Sequence, residues 1–267
     1  MYSRVEPRHM TGLHLAAYFG LEKAANDLLC DEHGPDLTDS CSRTPLWYAV
    51  ENGHEAVVKL LLDKGADPNS EDINGQTPLL SAVRKGYERI VILLLATGKV
   101  DANSKDEDGL TPLFYAAENG HKAVAKLLLE HHADCNSMGI YGSTPLSSAA
   151  AGGHEAVVKL LLEEHFNPCW RDVEGETPLM IAAERGYEAI VKLMLEYLKR
   201  YAPPHLKDIF RRMPLSNNAW EEQETLWGEQ LDLWDELSEK EKEIFWEEQE
   251  LKEVQRAFTL LQRHPKS

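Results

Sequence analysis

The sequence predicts an all-α protein: a solenoid of helix pairs with β-hairpin-like connections, followed by a helical C-terminal extension. Three observations carry this expectation. Thr11, Thr44, Thr77, Thr111, Thr144 and Thr177 recur at intervals of 33, 33, 34, 33 and 33 residues, the self-similarity that marks a repeat array. Each Thr has Leu two residues on, Ala five on and Gly nine on. The richest apolar run, Ile90 to Ala96, is far shorter than the roughly 20 residues that span a bilayer. Periodicity therefore organises this chain, and no membrane partner is expected.

Within each unit the first helix is defined at both ends. Thr accepts a hydrogen bond from an orphan backbone N–H, and Pro45, Pro78, Pro112, Pro145 and Pro178 suit the first helical position. Leu and Ala then fall on one face, where the small Ala lets a neighbouring helix come close. Gly20, Gly53, Gly86, Gly120, Gly153 and Gly186 supply the left-handed backbone that stops the helix. A second helix follows, as in Glu55 to Leu62 and its near copy Glu155 to Leu162. Its apolar arc is too wide for an isolated surface helix and calls for burial between neighbouring units. A polar turn such as Gly65-Ala66-Asp67-Pro68-Asn69 then leads to a short segment ending in Gly75, Gly109, Gly142 or Gly175, just before the next Thr.

This pattern resembles the ankyrin repeat, over about residues 1 to 200 and six units. Only Leu13-His14 keeps the family's His after the Leu; Trp47, Leu80, Phe114, Ser147 and Met180 stand at that position in the other units. Repeat 1 also has Gly12 where the others have Pro. The phrase Leu13 to Lys23 is further similar to the ankyrin tails of NTPase-type immune receptors, although no NTPase motif accompanies it.

The resemblance implies a non-catalytic scaffold that binds a partner protein on a concave surface of hairpin tips and first-helix positions. By register those positions are Ser40, Cys41, Arg43, Glu51 and Asn52 in repeat 2, and Ile73, Asn74, Gln76, Arg84 and Lys85 in repeat 3. Repeat 4 contributes Glu107, Asp108, Leu110, Glu118 and Asn119; repeat 5, Ile140, Tyr141, Ser143 and Ala151; repeat 6, Val173, Glu174, Glu176, Glu184 and Arg185. The surface is expected to centre on repeats 3 to 5, where the apolar pair Ile140-Tyr141 stands at a solvent-facing tip and Tyr141 serves as an anchor. Arg84 and Lys85 form a positive step toward the acidic tips of repeat 4.

Charge narrows the partner class. The 267 residues carry a formal net charge of −17, which disfavours direct contact with nucleic acid or an anionic membrane. The polar, mixed-charge start, Met1 to Met10, has no apolar core of a secretory signal. Four unpaired-looking cysteines, Cys30, Cys41, Cys135 and Cys169, suit free thiols in a reducing intracellular setting, cytoplasmic or nuclear. His54-Glu55 and His154-Glu155 lack the second His of a zinc protease helix, and no phosphate loop, dinucleotide fingerprint or kinase signature occurs. No enzyme activity and no cofactor are expected. The Asp-x-Asn turns at Asp67, Asp101 and Asp134 read as side chains bonding their own turn backbone.

The period stops near residue 200, at Pro203-Pro204. Asn218 with Glu221 and Ser238 with Glu241 look like capping boxes of two longer helices. Between Glu221 and Glu253 there are 14 acidic residues against Lys240, Lys242 and Lys252, and four of the chain's six Trp lie in this tail. Met180, Ile181, Leu193, Met194 and Tyr197 would leave the end of repeat 6 bare, so the 201–267 tail is expected to cap it. An alternative is a transcription-type regulator whose acidic, Trp-rich tail recruits a second partner.

Overall fold

The structure is a computed structural model of the full chain, and it describes residues 9–29, 34–134, 136–139, 141–164, 172–174 and 176–201. Twelve helices lie among these residues, and no strand does. They form six pairs: α1 (Gly12–Tyr18) with α2 (Glu22–Leu29), α3 (Pro45–Glu51) with α4 (Glu55–Asp63), α5 (Pro78–Lys85) with α6 (Glu88–Leu95), α7 (Pro112–Glu118) with α8 (Lys122–Glu130), α9 (Pro145–Gly152) with α10 (Glu155–Glu163), and α11 (Pro178–Glu184) with α12 (Glu188–Tyr201). The chain divides into two compact units, residues 1–161 and 162–267.

Each first helix starts as its sequence dictates. The hydroxyl of Thr11, Thr44, Thr77, Thr111, Thr144 or Thr177 accepts from the backbone N–H three residues on, leaving the Thr in extended backbone. Five of these helices have Pro at the first position. All six terminating glycines have positive φ, between 69° and 77°. Each helix is only seven or eight residues long, too short to persist in isolation, so its stability comes from packing.

That packing repeats the register. Leu46, Leu79, Leu113 and Leu146 are fully buried, as are Ala49, Ala82, Ala116 and Ala149. The Ala positions let α1, α3, α5, α7 and α9 stack in sequence order, in closer contact than the parallel stack of α2, α4, α6 and α8. Second helices bury a matching triplet: Val57, Val58 and Leu61; Ile90, Val91 and Leu94; Val124, Ala125 and Leu128; Val157, Val158 and Leu161. Each fully buried Leu contributes about 2–3 kcal/mol of transfer free energy. Repeat 1 is thinner, with Leu15, Tyr18 and Phe19 exposed and only Ala25 of α2 buried.

In the second unit α11 packs against α12, burying Leu179, Ala182, Ile190 and Val191. Met180 and Met194 are buried, while Ile181, Leu193 and Tyr197 are half-buried. The tail from 202 onward lies outside the described residues, as do Cys30, Cys135 and Cys169. Cys41 is a buried free thiol.

Candidate functional site

The turn before each first helix is built around a carboxylate five residues ahead of the Thr. Asp39 accepts from the backbone N–H of Cys41 at 2.7 Å and of Arg43 at 2.9 Å. Asp72 does the same for Asn74 and Gln76, and Asp106 for Asp108 and Leu110. In the second unit Asp172 holds Glu174 and Glu176 likewise, each at 2.9 Å. A backbone bond from the Asp N–H closes each loop on the residue before the Thr. These three bonds lock five residues, and the residue after the Asp projects as a tip. Repeat 5 differs: Gly139 holds the Asp position, keeping the backbone bond to Ser143 but no carboxylate.

Two of these carboxylates also bind a phenol from the helix they precede. Tyr48 donates to Asp39 at 2.6 Å, and Tyr115 donates to Asp106. Burial, reinforced by the adjacent carboxylate, pushes both phenols well above the ordinary tyrosine range. The hairpin and first helix of repeats 2 and 4 are therefore one rigid piece.

Neighbouring hairpins are linked by the residue just before the Thr. Arg43 reaches Asp72 of the next turn at 3.5 Å, and Gln76 reaches Asp106 at 3.3 Å. Leu110, at the same register, meets Gly139: a Cβ built on that glycine would lie 2.5 Å from Leu110 Cδ2. The Ile73 N–H also donates to the Cys41 carbonyl.

A second set of links joins the helix ends. His54 Nε2 donates to the Tyr18 carbonyl at 2.9 Å, His121 to Arg84 at 3.3 Å, and His154 to Glu118 at 2.8 Å. Each ring lies over the glycine that ends the preceding unit's first helix, so Gly20, Gly86 and Gly120 lack a side chain for two reasons. Repeat 3 has Tyr87 in place of this His, and there Glu51 instead accepts from Ser81 at 2.5 Å and pairs with Lys85 at 2.8 Å. The bond to Glu51, more than its charge, raises the Lys85 amine above its usual value. His14 closes repeat 1 on repeat 2, with Nε2 on the Arg43 carbonyl at 3.0 Å and Nδ1 on the Thr11 hydroxyl at 2.8 Å. Its burial lowers the imidazole below the ordinary value.

The sequence-selected positions sort themselves against this framework. Arg43 is half-buried, ion-paired to Asp72 and laid over the Trp47 ring at 4.2 Å. Arg84 is exposed but lies over Tyr115 at 5.1 Å and donates to Gln76. Lys85 turns back to Glu51. Asn74 is half-buried within its own turn. Exposed positions are Ile73, Glu107, Asp108, Glu118 and Tyr141, the last 67 % accessible; Leu110 is half-buried. Glu174 is exposed and Glu176 half-buried in the second unit. Ile140 lies outside the described residues.

Sequence reasoning passed over Asp39, Asp72, Asp106 and Asp172, although their offset from Thr was readable. The Asp-x-Asn turns behave as bland turns: Asn69, Asn103 and Asn136 N–H groups bond Asp67, Asp101 and Asp134. Asn69 and Asn103 add a bond to the backbone carbonyl of Lys99 and His132 in the next unit. Among the described residues no group of three or more His, Cys, Asp or Glu is placed to hold a metal. No helix among them is long and apolar enough to cross a membrane.

Stacked helix pairs with carboxylate-closed turns and histidine links define the class: a helix-pair repeat protein. The family profile for ankyrin repeats in three copies matches residues 3–72, 65–139 and 134–208. The chain belongs to the ankyrin repeat family. Solved structures similar to it include the ankyrin repeat domain of Bcl-3, at 29 % identity and TM-score 0.65, covering 71 % of this chain and 87 % of that one. An ankyrin repeat domain from Acinetobacter baumannii shares 32 % identity and TM-score 0.65, over 69 % of this chain and 96 % of that one. The ankyrin repeat protein EF0377 shares 32 % identity and TM-score 0.66, over 70 % and 97 %. No curated protein sequence matches the chain significantly. Ankyrin repeats are generally protein-interaction modules, which is the function the family gives this chain.

Proposed function

We propose that this chain is a non-catalytic adaptor that grips a partner protein on the hairpin tips and first-helix ends of repeats 3 to 5. The observation that carries the reading is Tyr141, an aromatic side chain 67 % exposed on a turn tip. A large aromatic left in water on a backbone-bonded turn loses little entropy on docking and suits an anchor. Ile73, 51 % exposed two turns earlier, extends the same row of tips. The framework beneath is already ordered by Asp72, Asp106 and the Tyr115 phenol, so a partner meets a preformed surface.

The test is affinity capture with the intact chain, followed by Tyr141→Ala against each captured protein. Loss of about tenfold or more in affinity fits an anchor; unchanged affinity for every captured protein removes it. A parallel chain ending near Arg200 separates ligands of the repeats from ligands of the acidic tail. We infer further that the repeat domain comprises six units ending near 200 and that residues 201–267 cover α11 and α12. The apolar positions Met180, Met194, Ile181, Leu193 and Tyr197, none of them fully exposed, support this. Fast hydrogen exchange throughout Trp220 to Leu261 in the isolated chain would exclude the cap.

A further inference from the structure

The step between repeats 4 and 5 breaks the polar ladder of the hairpins. At the two preceding steps the residue before the Thr is polar and reaches a carboxylate: Arg43 to Asp72, Gln76 to Asp106. At the third, Leu110 packs on Gly139. Beside this contact stand Tyr141 and Met138, 67 % and 39 % exposed. An apolar step with an open aromatic therefore occupies the place of a polar step.

Three exposed carboxylates flank that step. Glu107 and Asp108 project from the adjoining tip and Glu118 ends α7; all three are exposed, and no described cation is paired with them. The cations of the same face are committed elsewhere: Arg43 to Asp72 and Trp47, Lys85 to Glu51, Arg84 to Gln76 and the Tyr115 ring. A ligand arriving at Tyr141 thus meets exposed carboxylates that no described cation pairs with.

We propose that this step docks a basic segment of a partner protein, one that sets a bulky apolar side chain against Leu110 and Tyr141. Its Lys or Arg residues pair with Glu107, Asp108 and Glu118. The proposal rests on the adaptor reading and deepens it by giving the partner's chemistry. Acidic segments are repelled from the step, and the apolar contact supplies affinity while the charges set selectivity and on-rate.

The experiment is selection of displayed random peptides on the intact chain, followed by titration of the enriched peptides against variants. The expected result is enrichment of peptides that combine Lys or Arg with a bulky apolar residue. Their binding falls about tenfold with Tyr141→Ser, falls further with the double change Glu107→Lys and Asp108→Lys, and weakens as salt is raised. Thermal unfolding of these surface variants, unchanged from the parent, assigns the losses to the interface. Enrichment of acidic or uncharged peptides that still need Tyr141 overturns the basic partner and leaves the adaptor site standing. No enrichment, or peptides indifferent to Tyr141 and to the charge reversal, overturns both.

Discussion

Repeats 4 and 5 have the same helix pair, the same Thr N-cap and the same buried Leu-Ala register, yet their hairpins are built differently. The turn of repeat 4 closes on Asp106, which collects two backbone N–H groups, the Gln76 amide and the Tyr115 phenol. The turn of repeat 5 has Gly139 there, with a backbone bond and an apolar neighbour in place of all four. The comparison teaches that the helical register holds the stack together, while the turn is free to be spent on stiffness or on a ligand surface. Exposed apolar residues, Tyr141 and Met138, stand out where the stiffening group is missing.

The sharpest way to break the comparison is to make repeat 4 resemble repeat 5. Asp106→Ala should lower unfolding free energy by roughly 3 kcal/mol or more, since it strands buried donors that had a charged acceptor. Urea unfolding followed by circular dichroism measures it. Gly120→Val is expected to cost a similar amount, roughly 3 kcal/mol. Its left-handed backbone at φ 72° opposes a β-branched residue, and a Cβ there lies 2.5 Å from His154 Nδ1, displacing a ring that holds the Glu118 carbonyl.

pH sharpens the contrast at the other end of the array. The His14 imidazole has its proton affinity lowered on folding, so the unfolded chain binds more protons as pH falls through about 6.5. Stability contributed by neutral His14 is full above that value and lost below it. Acid unfolding should begin at repeat 1, and His14→Gln should flatten the decline between about pH 6.5 and 5. At the alkaline side Tyr48 and Tyr115 have raised phenol affinities, so the native state keeps their protons after the unfolded chain has lost them. Stability then falls as pH rises above about 10, and Tyr115→Phe should reduce that slope.

The smallest expected effect runs the comparison backward. Gly139→Asp combined with Leu110→Gln recreates the Gln76–Asp106 pair in repeat 5 and should add about 1 kcal/mol. The same variant should weaken peptide binding at Tyr141 by removing the apolar floor. A gain in stability with binding intact would separate the turn chemistry from the ligand surface.

Much of this was legible because a solenoid repeats its instructions. Thr44, Leu46, Ala49 and Gly53 each state a local requirement, namely a cap, a buried branch, a close approach and a left-handed stop, and five further units restate all four. No long-range pairing had to be guessed. The contacts made between units were less legible, because they depend on which side chain reaches which atom about 30 residues away. Arg43 and Lys85 read as free surface charge in the sequence, yet one lies on Asp72 and the other on Glu51.

The sequence alone determined the helix pairs, their boundaries and the family, since these follow from short-range caps and periodic apolar faces. Only the tertiary structure decided which charges are paired internally and which stay exposed. Stacking sets side chains from adjacent units at hydrogen-bond distance, and pairing there is a property of that geometry, not of residue type.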